Sequence, residues 1–82
     1  MTSQELEKQM KELVAKTIGI APDKLPGDAD FARDLDVDSM KAIEITGAIE
    51  KTFKVIVPEE QIRKIRTLNQ AISLAKQLLN IK

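Results

Sequence analysis

Between Asp34 and Ile45 the chain reads DLDVDSMKAIEI: three aspartates at alternate positions, a lone serine, then residues of helical period. Four chemistries use such residues. Asp34, Asp36 and Asp38 match the first three ligand positions of a calcium-binding EF-hand loop. That loop next needs a glycine for its sharp turn, and a bidentate glutamate at its twelfth position; here Ser39 and Ile45 stand there. A serine nucleophile needs a base within hydrogen-bond reach. With no histidine in the chain, only a lysine or an acid is available. Nothing resembles the glycine-flanked nucleophile elbow. The third reading is that Asp38 and Ser39 simply open a helix, an ordinary place for both, and composition and pattern alone favour it. The fourth is covalent attachment. A serine at the first helical position after a loop is exposed to an incoming enzyme. An anion joined to it would sit where free amides and the helix dipole favour negative charge. A phosphate adduct on Ser39 is therefore physically sensible, but its identity stays open.

The rest of the composition narrows the field. There is no cysteine, so no disulfide staples the fold and no thiolate acts as nucleophile or metal ligand. The absence of histidine removes the commonest general base. At 82 residues the chain is read as one domain, 1–82, small enough to be marginally stable. Apolar residues make up 43% and charged residues 32%, which fits a soluble globular protein. No apolar run approaches the roughly 20 residues that span a bilayer. The N-terminus MTSQELEKQM lacks the pattern of a signal peptide, so a cytoplasmic location is expected. All 13 acidic residues lie at or before Glu60; Arg63, Lys64, Arg66, Lys76 and Lys82 follow with no acid. Phe31 and Phe53 are the only aromatics, so this basic tail offers no stacking platform and nucleic acid is not an expected partner.

The elements that must position Ser39 are helical. Thr2 and Glu5 fit a capping box, and Leu6, Met10, Leu13, Val14 and Thr17 follow at helical spacing, predicting a first helix over about 3–17. Pro22, Pro26, Gly27 and a run of aspartates predict a loop over 18–38. Ile20, Leu25, Phe31, Leu35 and Val37 should pin it to the core, with a short helical turn near Asp30 to Asp34. A second helix over about 39–53, capped by Asp38, would turn Met40, Ile43, Thr46, Gly47, Ile49 and Phe53 inward. Lys41, Glu44, Glu50 and Lys51 would face outward. Val55 to Val57 form an extended connector, Pro58 opens a short third helix over about 59–64, and Thr67 with Gln70 caps a last one over about 68–80. The fold class is all-α: a four-helix bundle of three main helices and one short one, with a long loop between the first two.

These residues resemble the acyl carrier protein family. Asp38-Ser39-Met40 is similar to its D-S-L signature, Ile43-Glu44-Ile45 to its V/I-E-L segment, and Ala48-Ile49-Glu50-Lys51-Thr52-Phe53 to A-L-E-E-x-F. Val57-Pro58-Glu59-Glu60 resembles I-P-x-E, and Ile65-Arg66-Thr67-Leu68 resembles I-x-T-V. The resemblance covers nearly the whole chain. It implies a freestanding carrier and no enzyme activity. A phosphopantetheinyl transferase would place 4′-phosphopantetheine from coenzyme A on Ser39, and Asp38 would cap the helix and present that serine. The arm would bring the thiol that the chain lacks. Cargo would be acyl chains handled by synthases and acyltransferases of fatty-acid, lipid or polyketide metabolism. The alternatives are an aminoacyl or peptidyl carrier and an armless docking module. A monomer suits such a shuttle.

The family also implies a docking face and an acyl pocket. Met40, Lys41, Glu44, Glu50 and Lys51 are the expected partner contacts. Ile43, Thr46, Gly47, Ile49, Ile62, Leu68 and Ile72 are the expected pocket walls. Three departures stand out. Asp36 replaces the glycine of the family's D-L-G. The second helix balances Lys41 and Lys51 against Glu44 and Glu50, where fatty-acid carriers are strongly acidic; altered charge at a docking face discriminates against the wrong partners and suggests a specialised carrier. Gly47 replaces a larger apolar residue, which would either widen or redirect the pocket or simply leave the helix loosely packed with no consequence for a ligand.

Overall fold

In the computed structural model, which describes residues 1–81, the chain forms four α-helices: α1 (Ser3–Ile18), α2 (Ser39–Phe53), α3 (Glu59–Ile62) and α4 (Leu68–Leu78). There is one 3-10 turn at Pro22–Lys24 and no strand among the described residues. No described helix is long and apolar enough to cross a membrane.

Local chemistry sets the helix ends. The Thr2 hydroxyl accepts the Glu5 amide at 3.1 Å while the Glu5 carboxylate accepts the Thr2 amide at 3.0 Å, so two orphan donors are satisfied together. The Thr2 amide, helped by the Thr2 hydroxyl, holds the Glu5 carboxyl below its usual pKa. Gly19 ends α1 in the left-handed region, φ 82°. The cap of α4 differs from a reciprocal box: the Thr67 hydroxyl accepts the Gln70 amide, but the Gln70 side chain reaches one residue further back, to the Arg66 amide at 2.7 Å. Two helices stop short of their expected ends. In α3 the chain tightens after Ile62 into a turn closed by Lys64 N–H on Gln61 C=O at 3.1 Å. In α4 it turns away beyond Leu78, with Asn80 at φ 55°.

Leu6, Met10 and Val14 lie one turn apart on α1 and are fully buried. They form the centre of a core completed by Ile45 and Ile49 of α2 and by Leu68, Ala71, Ile72 and Ala75 of α4. α1 packs against both α2 and α4, but no Cα of α2 comes within 8 Å of one in α4 among the described residues. Side chains from the connections fill that separation.

The long loop supplies several of them. Leu25, Phe31 and Val37 are buried, and the backbone between them is tied down at both ends. Phe31 N–H donates to Arg66 C=O at 2.8 Å, Val37 N–H to Phe31 C=O at 2.8 Å, and Asn69 N–H to Gly27 C=O at 3.0 Å. A Cβ on Gly27 would collide with the Asn69 side chain, so a glycine suits this close approach. One helical turn closes from Asp34 N–H to Asp30 C=O.

Candidate functional site

Ser39 is the first residue of α2 and is exposed. Asp38, immediately before it, is extended, and its carboxylate accepts the Lys41 amide at 2.8 Å. The capping group is thus spent on the third amide of the helix. The first two amides, on Ser39 and Met40, have no acceptor one turn back. A negative group on the Ser39 hydroxyl would face those amides and the positive end of the dipole.

The loop delivers the chain to this point through a left-handed residue. Asp36 has φ 57°, a conformation that favours glycine and that Asp tolerates better than most residues. The departure from D-L-G therefore keeps the turn. The other aspartates are engaged by backbone: Asp34 accepts the Asp30 amide at 2.8 Å, and Asp30 accepts the Arg33 amide at 2.9 Å. Among the described residues no three acidic side chains gather as a metal site would require. The Arg33 amide is the main reason the Asp30 carboxyl sits below its usual pKa; the guanidiniums of Arg33 and Arg66 contribute less.

Behind Ser39, between α2, α3 and α4, lies a small apolar cavity of about 20 Å³. That is room for about one water. Its walls include Phe31, Ala42, Ile45, Thr46, Ile49 and Ile65. The Thr46 hydroxyl donates to Ala42 C=O at 3.0 Å, so this buried polar group is satisfied and the lining is effectively apolar. Two open grooves lead from Ser39 past Ala42 and Ile62, one of about 310 Å³ bounded by the loop and one of about 400 Å³ bounded by Ile43 and Glu59.

Of the expected pocket residues, Thr46, Ile49 and Ile62 do line the cavity. Leu68 and Ile72 are buried in the core but are not among its walls. Ile43 is 64% exposed and borders the outer groove instead. Gly47 is exposed, and a Cβ built on it meets nothing within 4 Å, so its missing side chain cannot widen the pocket. The helix is turned so that Ala42, Ile45, Thr46, Ile49 and Phe53 form the inner stripe, leaving Met40, Ile43 and Gly47 outside. Both stripes are apolar, and periodicity alone did not choose between them. Phe31 was not expected as a wall because a tertiary bond, its amide on Arg66 C=O, brings it there, whereas Ala71 lies on the buried stripe of α4.

The expected docking residues divide. Met40 is 72% exposed beside Ser39, and Glu44 and Lys51 are exposed. Lys41 pairs with Glu44 at 3.3 Å on the same face. Glu50 is different: it is half-buried, and its carboxylate accepts the Val57 amide at 2.9 Å. That bond ties the connector to the end of α2, so Glu50 has a structural task rather than a free surface.

A family model described as "Phosphopantetheine attachment site" matches residues 8–75. The acyl carrier protein of Petrotoga mobilis is 37% identical over 81 residues, covering 99% of this chain and 95% of that one.

Proposed function

The chain belongs to the acyl carrier protein family and carries acyl groups on phosphopantetheine, and from that premise we propose that Ser39 bears the arm. The observation that carries this reading is the exposed hydroxyl at the first position of α2, beside a capping carboxylate already committed to the Lys41 amide. The residues fit the group. Its phosphate would lie at a helix N-terminus, and two grooves lead away from its root.

Loading is a phosphoryl-group transfer. The Ser39 oxygen forms a bond to the phosphorus nearest the pantetheine of coenzyme A. The pyrophosphate bond breaks, and adenosine 3′,5′-bisphosphate leaves. The hydroxyl proton passes to a base on the transferase, since this chain offers no histidine. Once attached, the arm supplies a thiol for thioester formation. The chain itself breaks no bond in the cargo; it positions and shields.

Partner enzymes would meet the surface around Ser39. Met40 and Ile43 are apolar side chains left in water next to the arm's root; the Lys41–Glu44 pair lies on the same helix, and Lys51 adds an exposed positive charge further along it. The lack of a strongly acidic face supports a specialised carrier whose partners differ from those that read an acidic helix. Efficient turnover by such ordinary partners would count against it.

The test of the attachment site is intact mass. Incubation with coenzyme A, Mg²⁺ and a promiscuous transferase should add one phosphopantetheinyl unit to the wild type and none to Ser39→Ala. Loading of the alanine variant, or no loading of folded wild type by several transferases, would refute it.

A further inference from the structure

The groove between Ser39 and the loop is lined by charges of both signs: Asp30 and Asp38 on one hand, Arg63 and Arg66 on the other. Arg63 also lines the second groove, again with Ser39. A phosphodiester on Ser39 would add a negative charge beside the Asp38 carboxylate. The free amides at the start of α2 offset part of that repulsion, and the only cations lining these grooves among the described residues are Arg63 and Arg66. We infer that Arg63 and Arg66 hold the arm's phosphodiester and so direct the root of the arm along α3 toward the cavity. This rests on Ser39 being the attachment site.

Three observations carry it. Arg66 is fixed by its backbone: its N–H donates to the Gln70 side chain at 2.7 Å, and its C=O accepts the Phe31 amide at 2.8 Å. Its guanidinium is near enough to Asp30 to add to the lowering of that carboxyl's pKa, behind the Arg33 amide. Arg63 is held only loosely, by Glu59 at 3.9 Å with both side chains mostly exposed, so a stronger anion can recruit it. Arginine suits this task because its planar fork matches two phosphate oxygens at once. Lys64, between the two, lines a different depression with Gln61, Asn69 and Gln77. The same net charge one residue away therefore faces elsewhere.

The experiment compares holo proteins, each with loading verified by intact mass and folding by circular dichroism. The readouts are the ³¹P resonance of the phosphodiester and the ¹⁵N relaxation of the arm amides, made with labelled pantetheine. In the Arg63→Gln/Arg66→Gln double variant the ³¹P resonance should shift and the arm amides should lose order. Raising salt should move the wild type toward the same values. Lys64→Gln should match wild type in both readouts. Identical ³¹P and relaxation values for wild type and the double variant would overturn the inference, and so would an equal change in Lys64→Gln. Failure of the wild type to load is a separate outcome, seen in the mass alone; it would overturn the Ser39 reading and this inference with it.

Discussion

Leu6, Met10 and Val14 of α1 have no exposed surface, whereas Met40 and Ile43, on the helix packed against them, are 72% and 64% exposed. The difference runs through the whole molecule. On the α1 side the helices close on a core of interdigitated side chains. On the other side α2 and α4 stand apart, bridged by Phe31 and Ile65 from the connections and Ile62 of α3, and a small cavity remains. Interiors packed to crystal density resist any change of volume. On the reading proposed above, a cargo chain would have one favourable way in, through the side that local structure holds least firmly. α3 is a four-residue helix with no side-chain cap and no buried residue, and so is poorly defended against displacement.

The sharpest way to break this comparison is to truncate one residue on each side. Leu6→Ala should cost about 2–5 kcal/mol by urea denaturation, the range for a fully buried leucine. It should leave the protection of a bound acyl thioester unchanged once folding is restored. Ile62→Ala, at a half-buried position, should cost less than about 1.5 kcal/mol and yet speed hydrolysis of a long-chain thioester. If Ile62→Ala proved the more destabilising, the division into a closed and an openable side would be wrong.

Glu50→Ala should come next. It leaves the Val57 amide without its acceptor, a loss of roughly 1–2 kcal/mol, and loosens the connector leading into α3. Reduced partner turnover with unchanged stability would instead return Glu50 to the docking face. Gly47→Ala should act oppositely, stabilising by up to about 1 kcal/mol because an exposed helical glycine is replaced where space is open. Thioester hydrolysis should not change, since Gly47 lies outside the cavity.

Much of the closed side was legible in the sequence. The Thr2 box, the Asp38 cap and the Leu6–Met10–Val14 spacing are local signals, and each acts within one or two turns of where it is written. Ser39 was legible for the same reason, as a hydroxyl at a marked helix start. The open side was not. Phe31 reaches the cavity because its amide bonds to Arg66, 35 positions on, and no periodicity encodes that. On α2, Met40 and Ile43 compete with Ala42 and Ile45 for the inside; tertiary packing chose the stripe with the smaller Ala42, leaving larger apolar residues in water. Glu50 looked like a surface charge because its acceptor role depends on where the chain returns after Phe53.

The smallest expected effect concerns the loop that separates the two sides. Asp30 has a lowered pKa in the folded state, chiefly from the Arg33 amide. Its contribution to stability is present above the ordinary aspartate range and is lost as pH falls through the depressed folded value. Asp30→Asn should therefore narrow the stability difference between neutral and acidic pH slightly; an unchanged acid limb would remove Asp30 from the account.

The most direct measurement is the amide ¹H–¹⁵N spectrum of the holo protein with and without a medium-chain acyl group on the arm. Large shifts should fall on Phe31, Ala42, Ile45, Thr46, Ile49, Ile65 and Ala71, with Leu6, Met10 and Val14 nearly still. Shifts confined to Ser39 and its neighbours, or centred on α1, would contradict entry of the cargo between α2 and α4.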